Sequence, residues 1–235
     1  KAFNEYFVNI GPNRAKNIKN VNGNTTMYID RIRDSLFLQP IDEFELCNTV
    51  KLLPINKAPG HDEASVVKSV IMNIAKPLTH IFNLSFCLGK FPSKLKLAKV
   101  VPIFKSDDRL LVSNYRPISV LPVFSKILEK LMYNRMIGFI EKHDILSSSQ
   151  FGFREHHSTS MALVKLIDKI TRELDNKCYS IGIFLDLSKA FDTIDHNILL
   201  DKLQCYGFRG IALDWLTSYI SGRSQFVSIN GNNSL

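Results

Sequence analysis

The chain has 235 residues, 45% of them apolar, and a formal net charge of +8 with a pI near 9.3. That is enough for one large domain or two small ones around a sizeable core. No apolar run reaches membrane-spanning length and no Cys-x-x-Cys pair occurs, so a membrane-spanning helix and a zinc site have no support in the sequence. The basic surplus favours a polyanionic partner, nucleic acid or an anionic membrane. It is concentrated: from Leu88 to Arg116, seven cations (Lys90, Lys94, Lys96, Lys99, Lys105, Arg109, Arg116) stand against Asp107 and Asp108.

In chain order, residues 1–16 carry Phe3, Phe7 and Ile10 at helical spacing, interrupted at Gly11-Pro12, and an Asn-rich loop follows to Thr26. A helix is expected from Asp42 to Leu53, then a loop through Pro54-Ile-Asn-Lys-Ala-Pro-Gly-His-Asp62. Residues 64–88 repeat apolar positions with the period of a helix; Pro77 should kink or split it and Gly89 end it. Lys99 to Phe104 reads as a strand, Asp107-Asp108 as a turn, and Pro117 to Leu121 as extended. Amphipathic helices are expected over Val123 to His143 and Ser158 to Asn176. In the second, Ser158 or Thr159 is the N-cap and Met161, Val164, Ile167 and Leu174 point inward. Tyr179 to Leu185 reads as a buried strand; His196 to Tyr206, stopped by Gly207, and Ile211 to Ile220 read as helices. Gln225 to Ile229 alternates as a strand before the hairpin signal Asn230-Gly231. Helices and strands mix without a βαβ rhythm, so the fold class is α+β. Cys87 and Cys178 lie among apolar residues and are expected to be reduced core thiols, which suits cytoplasm or nucleus. The polar opening Lys1-Ala-Phe-Asn-Glu-Tyr6 does not read as a secretory leader. A chain that starts on Lys1 and stops inside a hairpin signal is expected to be part of a longer one.

The apolar run 179–185 drives into a carboxylate, Asp186. A carboxylate at the end of a buried strand is costly unless a cation pairs with it, and a hard ion such as Mg²⁺ takes such oxygens. Two other readings remain: a capping Asp that starts the next helix, and a phosphoacceptor Asp on a parallel sheet, although the place two residues on is Ser188.

Four blocks line up along the chain: Asn56-Lys-Ala-Pro-Gly-His-Asp62; Ala98-Lys-Val-Val-Pro-Ile-Phe-Lys105 with Ser113-Asn-Tyr-Arg116-Pro-Ile-Ser-Val-Leu121; Ser149-Gln150-Phe-Gly152-Phe153-Arg154-Glu-His-His-Ser-Thr159; and the Asp186 segment with Phe191-Asp192. In this order and spacing they resemble the reverse transcriptase domain of non-LTR (LINE-type) retrotransposons. The resemblance covers Asn56 to Leu235 well and the earlier residues weakly.

The resemblance implies the fingers and partial palm of a right-hand polymerase: 1–53 an N-terminal extension, 54–177 fingers and the start of the palm, 178–235 a palm segment. Asp186 matches the first catalytic carboxylate, which holds two Mg²⁺ ions with help from the Leu187 carbonyl. Phe191 matches the ring that crowds the sugar 2′ position. Lys105 and Arg116 match residues that grip the incoming deoxynucleoside triphosphate. Gln150, Gly152, Phe153 and Arg154 match a block near the RNA template and DNA primer; no membrane partner is implied. The family's remaining carboxylates come from a later Ala-Asp-Asp hairpin that this sequence does not contain. The expectation is therefore a fragment of an RNA-directed DNA polymerase that is inactive alone.

Each residue also has a plainer reading: Lys105 a solvated turn lysine, Arg116 an ion-pair partner, Phe191 core, Asp192 and Asp195 helix-start residues. At the level of the chain, the alternatives are a non-enzymatic remnant that at most binds nucleic acid, and a phosphotransfer or hydrolase domain using Asp186 on a parallel sheet with helices on both faces.

Overall fold

The computed structural model describes residues 1–15, 26, 29–54, 64–187, 189–229 and 231–234. The Asn56–Asp62 block lies outside the described residues. Two compact units are present: residues 1–139 with 191–235, and residues 140–190.

The first unit is mixed α and β, as the sequence implies. Its helices are α1 (Ala2–Ala15), α2 (Glu43–Lys51), α3 (Ala64–Leu88), most of α4 (Val123–Lys142), α6 (His196–Cys205) and α7 (Ile211–Ile220). Its strands are β1 (Leu97–Phe104), β2 (Tyr115–Val120), β3 (Ser224–Ile229) and β4 (Asn232–Asn233), in the sheet order β2-β1-β3-β4. β1 runs antiparallel to β2 and parallel to β3, and β4 turns back antiparallel on β3. The second unit holds α5 (Thr159–Asp175).

Helix caps explain several boundaries. Asp42 takes the Glu45 N–H at 2.7 Å to start α2, Ser158 takes the Met161 N–H to start α5, and Asp195 takes the Asn197 and Ile198 N–H groups to start α6. Asp195 is thus a helix-start residue, in accord with its plainer reading. Gly207 follows α6 at φ +94°, where a Cβ would run into the Asp34 carbonyl and the Phe139 ring.

Neither internal proline ends its helix, so the expected interruption at Gly11-Pro12 and the expected split at Pro77 do not occur. α1 runs through Gly11-Pro12 and α3 is one helix through Pro77. Pro12 and Pro77 lie on exposed faces, as do Val8 and Asn73 one turn earlier. The carbonyls left without a helical donor can therefore take water.

On one face of the sheet, Val100 and Val227, paired across β1 and β3, pack with Phe7 and Ile10 of α1. A second, helical core gathers Leu46, Phe82, Ile127, Leu128, Leu131, Phe208 and Trp215. Polar clamps hold the chain between α1 and α2 on this core. Asn83 exchanges two hydrogen bonds with the Ile41 backbone (2.7 and 2.8 Å), and Arg209 donates to the Ile32, Arg33 and Asp34 carbonyls. Arg135 grips both Glu45 carboxylate oxygens at 2.8 and 2.9 Å and donates to the Gln39 and Pro40 carbonyls.

The second unit departs most from the sequence reading. Tyr179 to Leu185 forms no strand; the segment is irregular and exposed, Tyr179 at 99% and Phe184 at 86%. A strand is held by ladder bonds to neighbours, and no described segment pairs with this one. Met161, Val164, Ile167 and Leu174 are exposed on α5 and not inward, because no described element covers that face of the helix. Cys87 and Cys178 are likewise exposed, whereas Cys47 and Cys205 are the buried thiols. The apolar neighbours of Cys178 are themselves in solvent, and Cys87 lies on the open side near the end of α3. No helix among the described residues is long and apolar enough to cross a membrane.

Candidate functional site

The β1–β2 hairpin carries the strongest polar grouping that the sequence anticipated. Ile103 pairs with Arg116 and Phe104 with Tyr115, and the Lys105 N–H donates to the Asn114 carbonyl at 2.9 Å, one further step of the same register. Alternation along an antiparallel pair puts Ile103, Lys105 and Arg116 on one face and Phe104 and Tyr115 on the other. Lys105 and Arg116 are diagonal neighbours there, a spacing of roughly 7–8 Å in a regular ladder. Both are exposed, and neither is in an ion pair among the described residues. Asp107 and Asp108 are engaged locally: Asp107 takes the Ser106 hydroxyl, and Asp108 takes the Leu110 N–H and, through its carbonyl, the Asn114 amide. The opposite face is apolar, with the Phe104, Tyr115 and Phe3 rings in edge contacts and the Arg109 guanidinium 5.0 Å over Phe104.

In the second unit, the Gln150 block is a compact loop wound on Ser147. The Ser147 carbonyl accepts the Gln150 N–H at 2.9 Å and the Arg154 guanidinium at 3.1 Å, and the Gln150 amide donates to the Gly152 carbonyl. Lys165 of α5 donates to the Ser148 carbonyl and stands 5.6 Å from the Phe151 ring. Phe153 is at φ +59° and 88% exposed, an unfavourable conformation and an unfavourable exposure in one residue. The loop brings Gln150, Gly152 and Arg154 together and leaves Phe153 in solvent.

Asp186 and Leu187 are exposed at the end of the irregular segment, so a carboxylate desolvated on an inner strand is not what the structure contains. Phe191, in a short 3₁₀ turn (Ala190–Thr193), is 74% exposed and is not core. No group of three or more His, Cys, Asp or Glu side chains converges among the described residues. One carboxylate with one carbonyl is too small a donor set to hold a pair of Mg²⁺ ions, so the residues described here do not by themselves make the metal site. The phosphoacceptor reading fails as well: Asp186 is not on the sheet, and among the described residues only the β1–β3 pair is parallel.

Sequence reading passed over a buried polar cluster. Glu129 of α4 lines an apolar cavity of about 400 Å³ with Met132, Tyr133, Leu203, Trp215 and Tyr219. One Glu129 oxygen accepts the Ser125 and Tyr219 hydroxyls, each at 3.1 Å. Burial pushes the Glu129 carboxyl above its ordinary value; the two hydrogen bonds and the charges of Arg223 and Lys126 pull the other way. Tyr219 is pushed up to about 12, by burial first and then by the Glu129 charge. The available signal was Ser125 four residues before Glu129 in an otherwise apolar helix stripe.

Comparison with known proteins gives a consistent result. The family model described as reverse transcriptase (RNA-dependent DNA polymerase) matches residues 103–234. The chain is 31% identical over 204 residues to a probable RNA-directed DNA polymerase from transposon BS of Drosophila melanogaster, covering 86% of the chain and 22% of that protein. It is 32% identical over 200 residues to the RNA-directed DNA polymerase from mobile element jockey of the same species, covering 84% of the chain and 22% of that protein. A putative 115 kDa protein in type-1 retrotransposable element R1DM, also from that fly, is 31% identical over 80% of the chain and 18% of its own length. The chain thus spans about a fifth of the length of these relatives.

Proposed function

The chain belongs to the reverse transcriptase family, the RNA-dependent DNA polymerases of non-LTR retrotransposons, and from that premise we propose that it supplies the fingers and first palm segment of an enzyme that copies RNA into DNA. The reaction is addition of a deoxynucleotide to a primer 3′-OH with release of pyrophosphate. The observation that carries this reading is the β1–β2 register, which sets Lys105 and Arg116 side by side on one exposed face without carboxylate partners among the described residues. Two cations at that spacing suit a triphosphate, whose transfer depends on positioning and neutralising charge.

The family implies a divalent metal. Asp186 and the Leu187 carbonyl are this chain's proposed contribution to Mg²⁺ binding, and further carboxylates have to join them. Phe191 is proposed to exclude ribose, and the Gln150–Arg154 loop to lie against template and primer. Arg154 holds the Ser147 carbonyl and so positions that loop, on which the Phe153 ring is exposed.

The test uses a polymerase-competent protein that contains this chain. Phe191→Ala should admit ribonucleotides, and unchanged sugar discrimination would remove Phe191 from the site. The remnant reading is distinguished by RNA-templated synthesis in that protein, which a mere binder would lack.

A further inference from the structure

The cavity between α4, α6 and α7 has a wall of hydrocarbon and aromatic rings, broken at one place by charge. Among the described residues Glu129 is the sole charged group lining its volume of about 400 Å³, set among Met132, Met136, Leu200, Leu203 and Trp215. That volume falls in the range of about 300–1,000 Å³ common to small-molecule sites. The wall's polar atoms are largely spent on fixed partners. Glu129 Oε1 accepts both the Ser125 and the Tyr219 hydroxyl, and the Trp215 indole N–H donates to the Ser85 hydroxyl at 3.0 Å. Glu129 Oε2 accepts no hydrogen bond among the described residues, yet it is not sealed off from solvent. A carboxylate oxygen in an apolar wall is costly until a donor meets it. Water fits such a wall poorly, since it needs polar partners on several sides.

The neighbouring cations do not supply the missing donor. Lys126 and Arg223 act on the Glu129 charge from outside the cavity wall, and neither is ion-paired with it among the described residues. Arg223 is engaged elsewhere: it donates to the Tyr219 carbonyl at 3.1 Å and lies over the Phe91 and Tyr219 rings. Burial outweighs the two hydroxyls and both cations, so the carboxyl stays raised and its charge under-compensated. The occupant this wall favours is an apolar body with one donor, and a positive donor over a neutral one. One free oxygen suits an ammonium, which can donate at a single point; a guanidinium or amidinium fork wants two. Met132 and Met136 let the wall adapt to a ring or a chain. A single cavity lined by three helices holds one small body, whereas a partner helix needs a trough with repeated anchor points.

We propose that this cavity binds a small hydrophobic amine, an aryl- or alkylammonium, whose nitrogen donates to Glu129 Oε2 while its hydrocarbon packs against Trp215 and the leucines of α6. The site shares no residue with the Lys105–Arg116 face or with Asp186, and it does not rest on the polymerase reading.

Trp215 is the chain's only tryptophan and lines the cavity, so its fluorescence reports the site. The chain is titrated with 4-phenylbutylamine, with 4-phenylbutanol as the neutral comparator and 4-phenylbutyrate as the anion. The amine should give a saturable change, the alcohol should bind roughly tenfold or more weakly, and the anion should give none. Glu129→Gln keeps an acceptor for Ser125 and Tyr219 but removes the charge. It should weaken the amine by roughly tenfold and bring amine and alcohol within about twofold of each other. Leu200→Phe, which fills the cavity, should abolish the response while leaving the circular dichroism spectrum unchanged. Equal affinity for amine and alcohol in the parent overturns the proposal without recourse to any variant. So does an amine response unchanged in Glu129→Gln, or no saturable response in the parent. Self-association that Leu200→Phe abolishes, with no amine response, would assign the cavity to a second copy of the chain and overturn the proposal as well.

Discussion

Lys105 and Arg116 meet as diagonal neighbours because Ile103 pairs with Arg116 and the Lys105 N–H reaches the Asn114 carbonyl. Eleven positions apart in sequence, they share a sheet face only in this register; a slip of one residue would send Arg116 to the aromatic face of the hairpin. If the pair engages polyanions, the affinity of this chain for RNA should fall linearly in log–log form with salt. Replacing either residue by Ala should reduce the slope by about one. Filter binding across a salt series measures this, and a slope unchanged by both substitutions would take the pair out of the contact surface.

Tyr219 gives the chain an alkaline signature. Its folded value of about 12 lies above the ordinary 10, so the unfolded chain loses the phenolic proton first. The stability it contributes is complete below pH 10 and declines as pH rises to about 12. Tyr219→Phe should flatten that part of the stability curve, read from urea midpoints at stepped pH. For Glu129 the shift is also upward, so its contribution is present at low pH and lost as pH rises through the raised value. Glu129→Gln should remove that slope.

Arg135→Ala should destabilise the first unit by about 3–5 kcal/mol. The substitution strands the Glu45 carboxylate, whose side chain is 31% exposed, and frees the Gln39 and Pro40 carbonyls. Denaturant unfolding measures the loss. A change under about 1 kcal/mol, the value of a surface pair, would mean the clamp is solvated.

Much of the fold was legible because its signals are local. Ser158 and Asp195 are caps with donors two or three residues away, Gly89 and Gly207 stop helices in the left-handed region, and the periodicity of α3 and α7 reflects their own residues. The 179–185 run was misread for a complementary reason. Its apolar content describes a strand buried on both faces, but a strand exists only with partners, and those are not encoded nearby. The same holds for α5, whose stripe is plain in sequence while what covers it is not. At the candidate site, residue types and spacing pointed to Lys105 and Arg116 only through a resemblance; their shared face comes from a ten-residue connection whose geometry no motif states. Glu129 was missed because an acid beside lysines in an amphipathic helix reads as surface until α7 is seen to bring Tyr219 to it.

Asp186→Ala should leave the fold of this chain unchanged, because the side chain is exposed. Circular dichroism and the thermal midpoint check this. In a polymerase-competent protein containing the chain, the same change should abolish synthesis. The chain by itself should give no templated product in primer extension with Mg²⁺, since no group of three or more acidic, His or Cys side chains converges among the described residues.

The most direct test of the triphosphate grip is a binding series in Mg²⁺-free buffer, where only protein cations meet the phosphates. Deoxynucleoside, mono-, di- and triphosphate are titrated against this chain and against the Lys105→Ala/Arg116→Ala variant. Affinity should climb with each phosphate in the parent and stay nearly flat in the variant. Equal binding of nucleoside and triphosphate by the parent, or an identical climb in both proteins, would contradict the assignment.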